Sequence, residues 1–216
     1  RTLAKVLVGA AGSWLVVNLP VMIIYPEGWS LFYRFNQERG ADFGSPWHAL
    51  LVLGHPVEQL NPLTLGLFVA ACAGIAVLAL SARQAPDLAP LAFLVVAAFL
   101  VTNKVYSPQY VLWLLPLAVL CLHAGLCLPD LIVWQAAEIT YWFAIWAHLD
   151  ERAIDNRWYA AAVFLRIAVT LWLCARVVAA LLRAPAVGQR YGPKNRSPLK
   201  WIRCVGSSAH HTSVSH

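Results

Sequence analysis

The chain has 216 residues, of which 60% are hydrophobic and 12% charged, with a mean hydropathy of +0.64 and a formal net charge of +6. A soluble globular domain carries about 25% charged residues, so this composition excludes an ordinary soluble enzyme and places the chain in the membrane class, where length is counted in spans. The positive charge is concentrated at the C-terminal end, where Arg183, Arg190, Lys194, Arg196, Lys200 and Arg203 occur without an acid; directly behind an apolar run this reads as a cytoplasmic flank meeting anionic lipid, with no nucleic-acid partner.

Only helices and closed barrels satisfy their backbone inside a bilayer. The apolar runs here are too long for barrel strands. The sequence therefore predicts an all-α membrane protein with about six transmembrane helices, over residues 3–25, 62–82, 88–103, 110–128, 131–149 and 158–182. These make one helical membrane domain, 1–183, followed by a disordered cytoplasmic tail, 184–216. The chain starts at Arg1, with no leader before the first apolar run. It is expected to be part of a longer protein.

The first span carries Asn18 and Pro20 inside it, and Pro20 is expected to kink it. A long outer loop, 26–61, follows. Connections of that length are uncommon and often functional. Its first part, GWSLFYRFNQERG, sets Trp29, Phe32 and Tyr33 at helical spacing, with Arg34 and Glu38 four apart on another face. That suits a short helix on the membrane surface. The next part, ADFGSPWH, reads as turns. Arg34 and Arg39 could bind a phosphate or sugar hydroxyls, and Glu38 or Asp42 could hold a hydroxyl. An ordinary solvated charged face is the alternative.

The second span has small residues, among them Ala70, Ala71, Gly74 and Ala76, that allow close helix packing. The third is short. Between it and the fourth lies the most unusual stretch of the chain, NKVYSPQYVLWLLP, starting at Asn103. Ser107-Pro108 forces a turn, and Pro108 suits the first turn of a helix. A helix N-terminus favours anions. With Lys104 beside it, the junction is a candidate phosphate site; the plain alternative is a lysine snorkelling at a helix end.

The fifth span carries Glu138 near its middle, where an ionisable group is costly and normally has a partner or a function. At about 1.5 Å per residue, Glu138 lies about 18 Å below Asp150, and Arg166 of the sixth span lies about 13 Å below Arg157. A short loop joins the two spans, so Glu138 and Arg166 are expected to meet, either as a structural ion pair or across a shared polar cavity.

Lysine and arginine placement orients the domain. With the tail inside, Arg1, Lys5, Arg83 and the tail cations are cytoplasmic, while Arg34, Arg39, Lys104, Arg152 and Arg157 lie outside with most of the acids. The junction at Lys104 then faces outward. The five cysteines form no C-x-x-C pair, and no histidines stand at ligand spacing, so neither a metal nor another cofactor is assigned.

The run NKVYSPQYVLWLLPL, 103–117, resembles the K-x-x-S-P-Q-Y-x-x-W-x-x-P signature of the actinobacterial integral membrane glycosyltransferases of family 87. FYRFNQERGADFGSPW, 32–47, is similar to the outer-loop segment that precedes the signature in relatives of mycobacterial type. The likeness covers most of 3–183. It implies the C-terminal part of a C-superfamily glycosyltransferase fold. It also implies transfer of a hexose, typically mannose, from a polyprenyl-phosphate donor to a lipid or glycan acceptor at the outer face of the plasma membrane. Lys104, Ser107, Gln109 and Tyr110 would then sit near the donor phosphate and sugar. The catalytic carboxylate of that superfamily lies in the first outer loop, expected upstream of Arg1, so neither Asp42 nor Glu138 takes its role. A transporter half and a non-catalytic membrane scaffold are the competing classes. A repeat of the six-span pattern would mark the first; none is visible.

Overall fold

A computed structural model of the chain describes residues 2–82, 85–150 and 153–183. The tail 184–216 lies outside the described residues, as do Arg1, Arg83 and Arg152 of the orientation argument. All regular structure among the described residues is helical. The chain divides into two units, Arg1–Gly40 and Ala41–His216.

The first unit is a helix pair. Helix α1, Thr2–Ile24, runs on through Pro20. Helix α2, Pro26–Glu38, opens with proline, whose missing N–H costs nothing at that position. Trp29 of α2 crosses Trp14 edge-on at 6.5 Å and donates its indole N–H to Asn18 Oδ1 at 3.2 Å. The polar Asn18 inside an apolar helix thus serves the junction with α2. The amphipathic helix expected in the outer loop is α2.

Among the described residues the second unit holds six α-helices: α3 (Pro46–Val52), α4 (Leu60–Ser81), α5 (Leu88–Thr102), α6 (Val111–Leu120), α7 (Leu128–Leu149) and α8 (Asn156–Arg183). Helix α3 stands where turns were expected. Ser45 caps it, accepting from His48 N at 3.1 Å, and Pro46 starts it. Helices α7 and α8 form an antiparallel hairpin tied by two ion pairs about two turns apart, Glu138–Arg166 at 2.7 Å and Asp130–Arg176 at 3.2 Å.

The core is split. Phe93, Leu100, Leu114, Trp134, Leu173 and Val177 close it between α5, α6, α7 and α8. Ala49, Tyr141, Tyr159 and Val163 form a second cluster where α3 meets α7 and α8. Large apolar side chains such as Leu80 and Leu88 stand exposed, while Glu138, Arg166 and Thr170 are buried. That inversion suits a protein whose surroundings are lipid.

Helices α1 (from Ala4), α4 and α8 are long and apolar enough to cross a membrane. The stretch expected as one span at 110–128 is interrupted. A 3-10 turn at Pro108–Tyr110 leads into α6, a second follows at Cys121–His123, and Gly125 at φ +117° reverses the chain. A Cβ at Gly125 would run into Ala180 of α8, so only glycine allows both the turn and the approach.

Candidate functional site

The junction after α5 is built from backbone that no helix satisfies. Asn103 leaves α5 in extended conformation, and its Oδ1 accepts from Lys104 N at 2.7 Å. Val105 and Tyr106 follow, buried. Ser107 is extended (φ −59°, ψ 153°), as the following proline requires. Its carbonyl accepts from Tyr110 N at 3.1 Å to close the turn, and the Tyr110 ring stacks on Trp113 at 4.5 Å.

The segment before α3 supplies the missing partners. Asp42 N donates to Lys104 O at 2.8 Å, and Tyr106 N donates to Phe43 O at 3.2 Å. Trp47 Nε1 donates to Thr102 O at 3.0 Å. The two loops are thus laced together over some sixty residues of sequence. Gly44 sits at the crossing with φ +77°. A Cβ there would strike the Tyr106 carbonyl oxygen and crowd the Tyr141 hydroxyl and Arg166 Nη1. Gly44 N donates to the Tyr159 hydroxyl at 3.1 Å, and His48 Nδ1 lies 3.2 Å from the same oxygen. Burial holds the His48 imidazole below its ordinary value; the Asp42 carboxylate opposes this and His148 adds to it.

Beneath both loops lies Arg166, fully buried. Its Nε is 2.7 Å from Glu138 Oε2. Its Nη1 donates to Tyr106 O at 2.6 Å and its Nη2 to Ser107 O at 3.3 Å. The guanidinium carbon lies 3.5 Å from the Tyr106 ring centre and 4.3 Å from that of Tyr141. The Tyr106 hydroxyl donates to Glu138 Oε1 at 3.3 Å. The depth count placed Glu138 and Arg166 within about 5 Å of one depth, and here they meet, with the junction loop resting on them.

The signature side chains separate into two directions. Ser107, Pro108 and Gln109 line a groove of about 560 Å³, walled further by Phe43, Leu112, Trp142, Ile145 and Trp146. Lys104 is not in that wall. It is nearly buried, and Nζ donates to Asn61 Oδ1 at 2.6 Å, at the start of α4. The outer-loop residues separate as well. Arg34, Glu38 and Arg39 belong to the first unit, where Arg34 Nη2 donates to Glu27 O at 3.3 Å and Arg39 lies over the Phe35 ring at 5.6 Å. Asp42 belongs to the second, with Oδ1 accepting from its neighbour Phe43 N at 2.7 Å.

Asn61 and Gly44 escaped the sequence reading. A glycine in FGSPW hints at a left-handed turn, but nothing local says what lies against it. A groove lined by polar loop side chains on one side and by apolar helix faces on the other suits a ligand with a polar head and a lipid tail. The model of one family, mannosyltransferase (PIG-M), matches residues 2–180. The chain belongs to that family. No curated protein and no solved structure matches it. The chain is therefore a membrane mannosyltransferase, acting on a sugar donor and an acceptor in a lipid environment. Ser107 and Gln109 meet the apolar side chains of α6 and α7 in the groove.

Proposed function

We propose that the chain transfers mannose from a polyprenyl-phosphate donor to a lipid or glycan acceptor at the outer face of the plasma membrane, in a six-span arrangement with the tail inside. The observation that carries this reading is the groove shared by Ser107, Pro108 and Gln109 with the apolar faces of α6 and α7. A donor with a phosphate head and a long hydrocarbon tail needs both surfaces side by side. Ser107 and Gln109 offer hydrogen bonds to the phosphate and the sugar. Leu112 and Ile145 continue the wall for the chain. Lys104 adds positive charge from behind the loop, and Tyr110 with Trp113 forms an aromatic flank.

In the reaction the bond between the anomeric carbon and the phosphate oxygen breaks. The acceptor hydroxyl oxygen bonds to that carbon, its proton goes to a general base, and the polyprenyl phosphate leaves. No residue of this chain is assigned the role of base. Asp42 remains as an outer-loop contact for the substrates.

The test uses membranes carrying the full-length protein and radiolabelled polyprenyl-phosphate mannose. Ser107→Ala and Gln109→Ala are each expected to lower transfer by about tenfold or more, the scale of a lost hydrogen bond to a charged group. Transfer at the wild-type rate in both variants overturns the assignment.

A further inference from the structure

We infer that Arg166, held by Glu138, is a positioning residue for transfer: it fixes the turn that points Ser107 and Gln109 into the groove. This rests on the reading of those two residues as donor-facing.

A buried guanidinium is costly, and an ion pair alone is a weak reason for it. Two apolar side chains of similar volume often serve stability as well or better. What an apolar pair cannot do is donate hydrogen bonds. Arg166 spends Nη1 on the Tyr106 carbonyl and Nη2 on the Ser107 carbonyl, at 2.6 Å and 3.3 Å. Both belong to the extended strip just ahead of Pro108, where the Ser107 carbonyl also accepts from Tyr110 N at 3.1 Å. Proline fixes φ at its own position and holds Ser107 extended, but it leaves the conformation at Tyr106 and the placement of the strip as a whole to be set from outside. Arg166 sets them from below.

The geometry of the support is over-determined. Nε is engaged by Glu138 at 2.7 Å, and the plane lies between the rings of Tyr106 and Tyr141. A planar fork donates to both carbonyls while its charge pairs with Glu138; a lysine ammonium is a point donor and cannot match that geometry. The loop's main chain is therefore anchored to the α7–α8 hairpin as well as to the segment ahead of α3. The groove's polar edge inherits its shape from a residue that does not line the groove.

The experiment compares three forms of the full-length protein in membranes with the wild type: Arg166→Lys, the double variant Glu138→Leu/Arg166→Met, and Gln109→Ala. Folded yield and melting in detergent are measured beside the KM for polyprenyl-phosphate mannose and for the acceptor. The first two forms are expected to fold and to show a donor KM raised between about tenfold and about a hundredfold, with the acceptor KM unchanged. Wild-type donor KM in either folded form overturns the inference, as does recovery of both only as aggregate, which would make the pair a determinant of folding. Gln109→Ala separates the two claims. If it leaves the donor KM unchanged, the donor-site reading fails; if it raises the KM while the Arg166 forms do not, only the positioning role fails.

Discussion

Asn61 Oδ1 accepts a hydrogen bond from the Lys104 ammonium at 2.6 Å. The contact ties the first turn of α4 to the junction after α5. It also turns the lysine away from the groove that Ser107 and Gln109 line. Asn61→Ala is expected to cost about 1.5–3 kcal/mol of stability, the range for a hydrogen bond to a charged group. Asn61→Asp, which keeps an acceptor, should retain most of it. Thermal unfolding of detergent-solubilised protein decides; equal melting of the alanine and wild-type forms removes Asn61 from the account.

Two glycines with positive φ make a controlled pair. Gly44 (φ +77°) has the Tyr106 carbonyl, the Tyr141 hydroxyl and Arg166 where a Cβ would go, whereas Gly54 (φ +85°) has nothing within 4 Å. Gly54→Ala should cost only the left-handed penalty of about 1–2 kcal/mol. Gly44→Ala should cost clearly more, to the point of poor recovery. Similar melting temperatures for the two would mean that the loops do not cross at Gly44.

Acidification should weaken the lacing of the outer loop. The folded protein holds His48 below its ordinary value of about 6.5 because burial disfavours the charged ring. The unfolded chain therefore binds the proton at higher pH. Stability that is present above about pH 6.5 falls as pH drops through the folded value. A plot of melting temperature from pH 7.5 downward should slope down toward acid, and His48→Gln should flatten it. A wild-type curve with no such slope counts against the buried neutral imidazole.

Filling the groove should block the donor without unfolding the protein. Leu112 is 63% exposed and lies in the groove wall. Leu112→Trp adds bulk there and disturbs no buried partner. The expected result is a raised donor KM with an unchanged melting temperature. An unaltered KM would place the lipid chain elsewhere.

Much of this architecture was written in the apolar runs. Their length and period set α1, α4, α5, α7 and α8 close to where they fall, and the spacing of Trp29, Phe32 and Tyr33 announced α2. Depth counting along two adjoining helices was enough to bring Glu138 to Arg166, since an antiparallel hairpin leaves little freedom. The break at Cys121–His123 was not read from the sequence, although Gly125 and Pro129 just beyond it are local breakers; the close approach of Ala180 to Gly125 comes from far away in sequence. Nor was α3, whose brief apolar run resembles a loop until Tyr159 and Ala160 cover it. The lacing of Asp42 and Phe43 to Lys104 and Tyr106 is pure main-chain pairing and leaves no side-chain signature. The SPQY stretch advertised itself by polarity, but the turn of Lys104 toward α4 depends on Asn61, which carries no local cue.

The guanidinium of Arg166 grips carbonyl oxygens at residues 106 and 107, and a carbonyl is the same whatever side chain accompanies it. The turn is thus indifferent to the identity of residue 107, provided that Pro108 and the ring of Tyr106 stay. Residues 107 and 109 form an exchangeable cassette on a fixed mount. A library varied at those two positions alone should yield folded proteins in which donor preference changes while the fold does not.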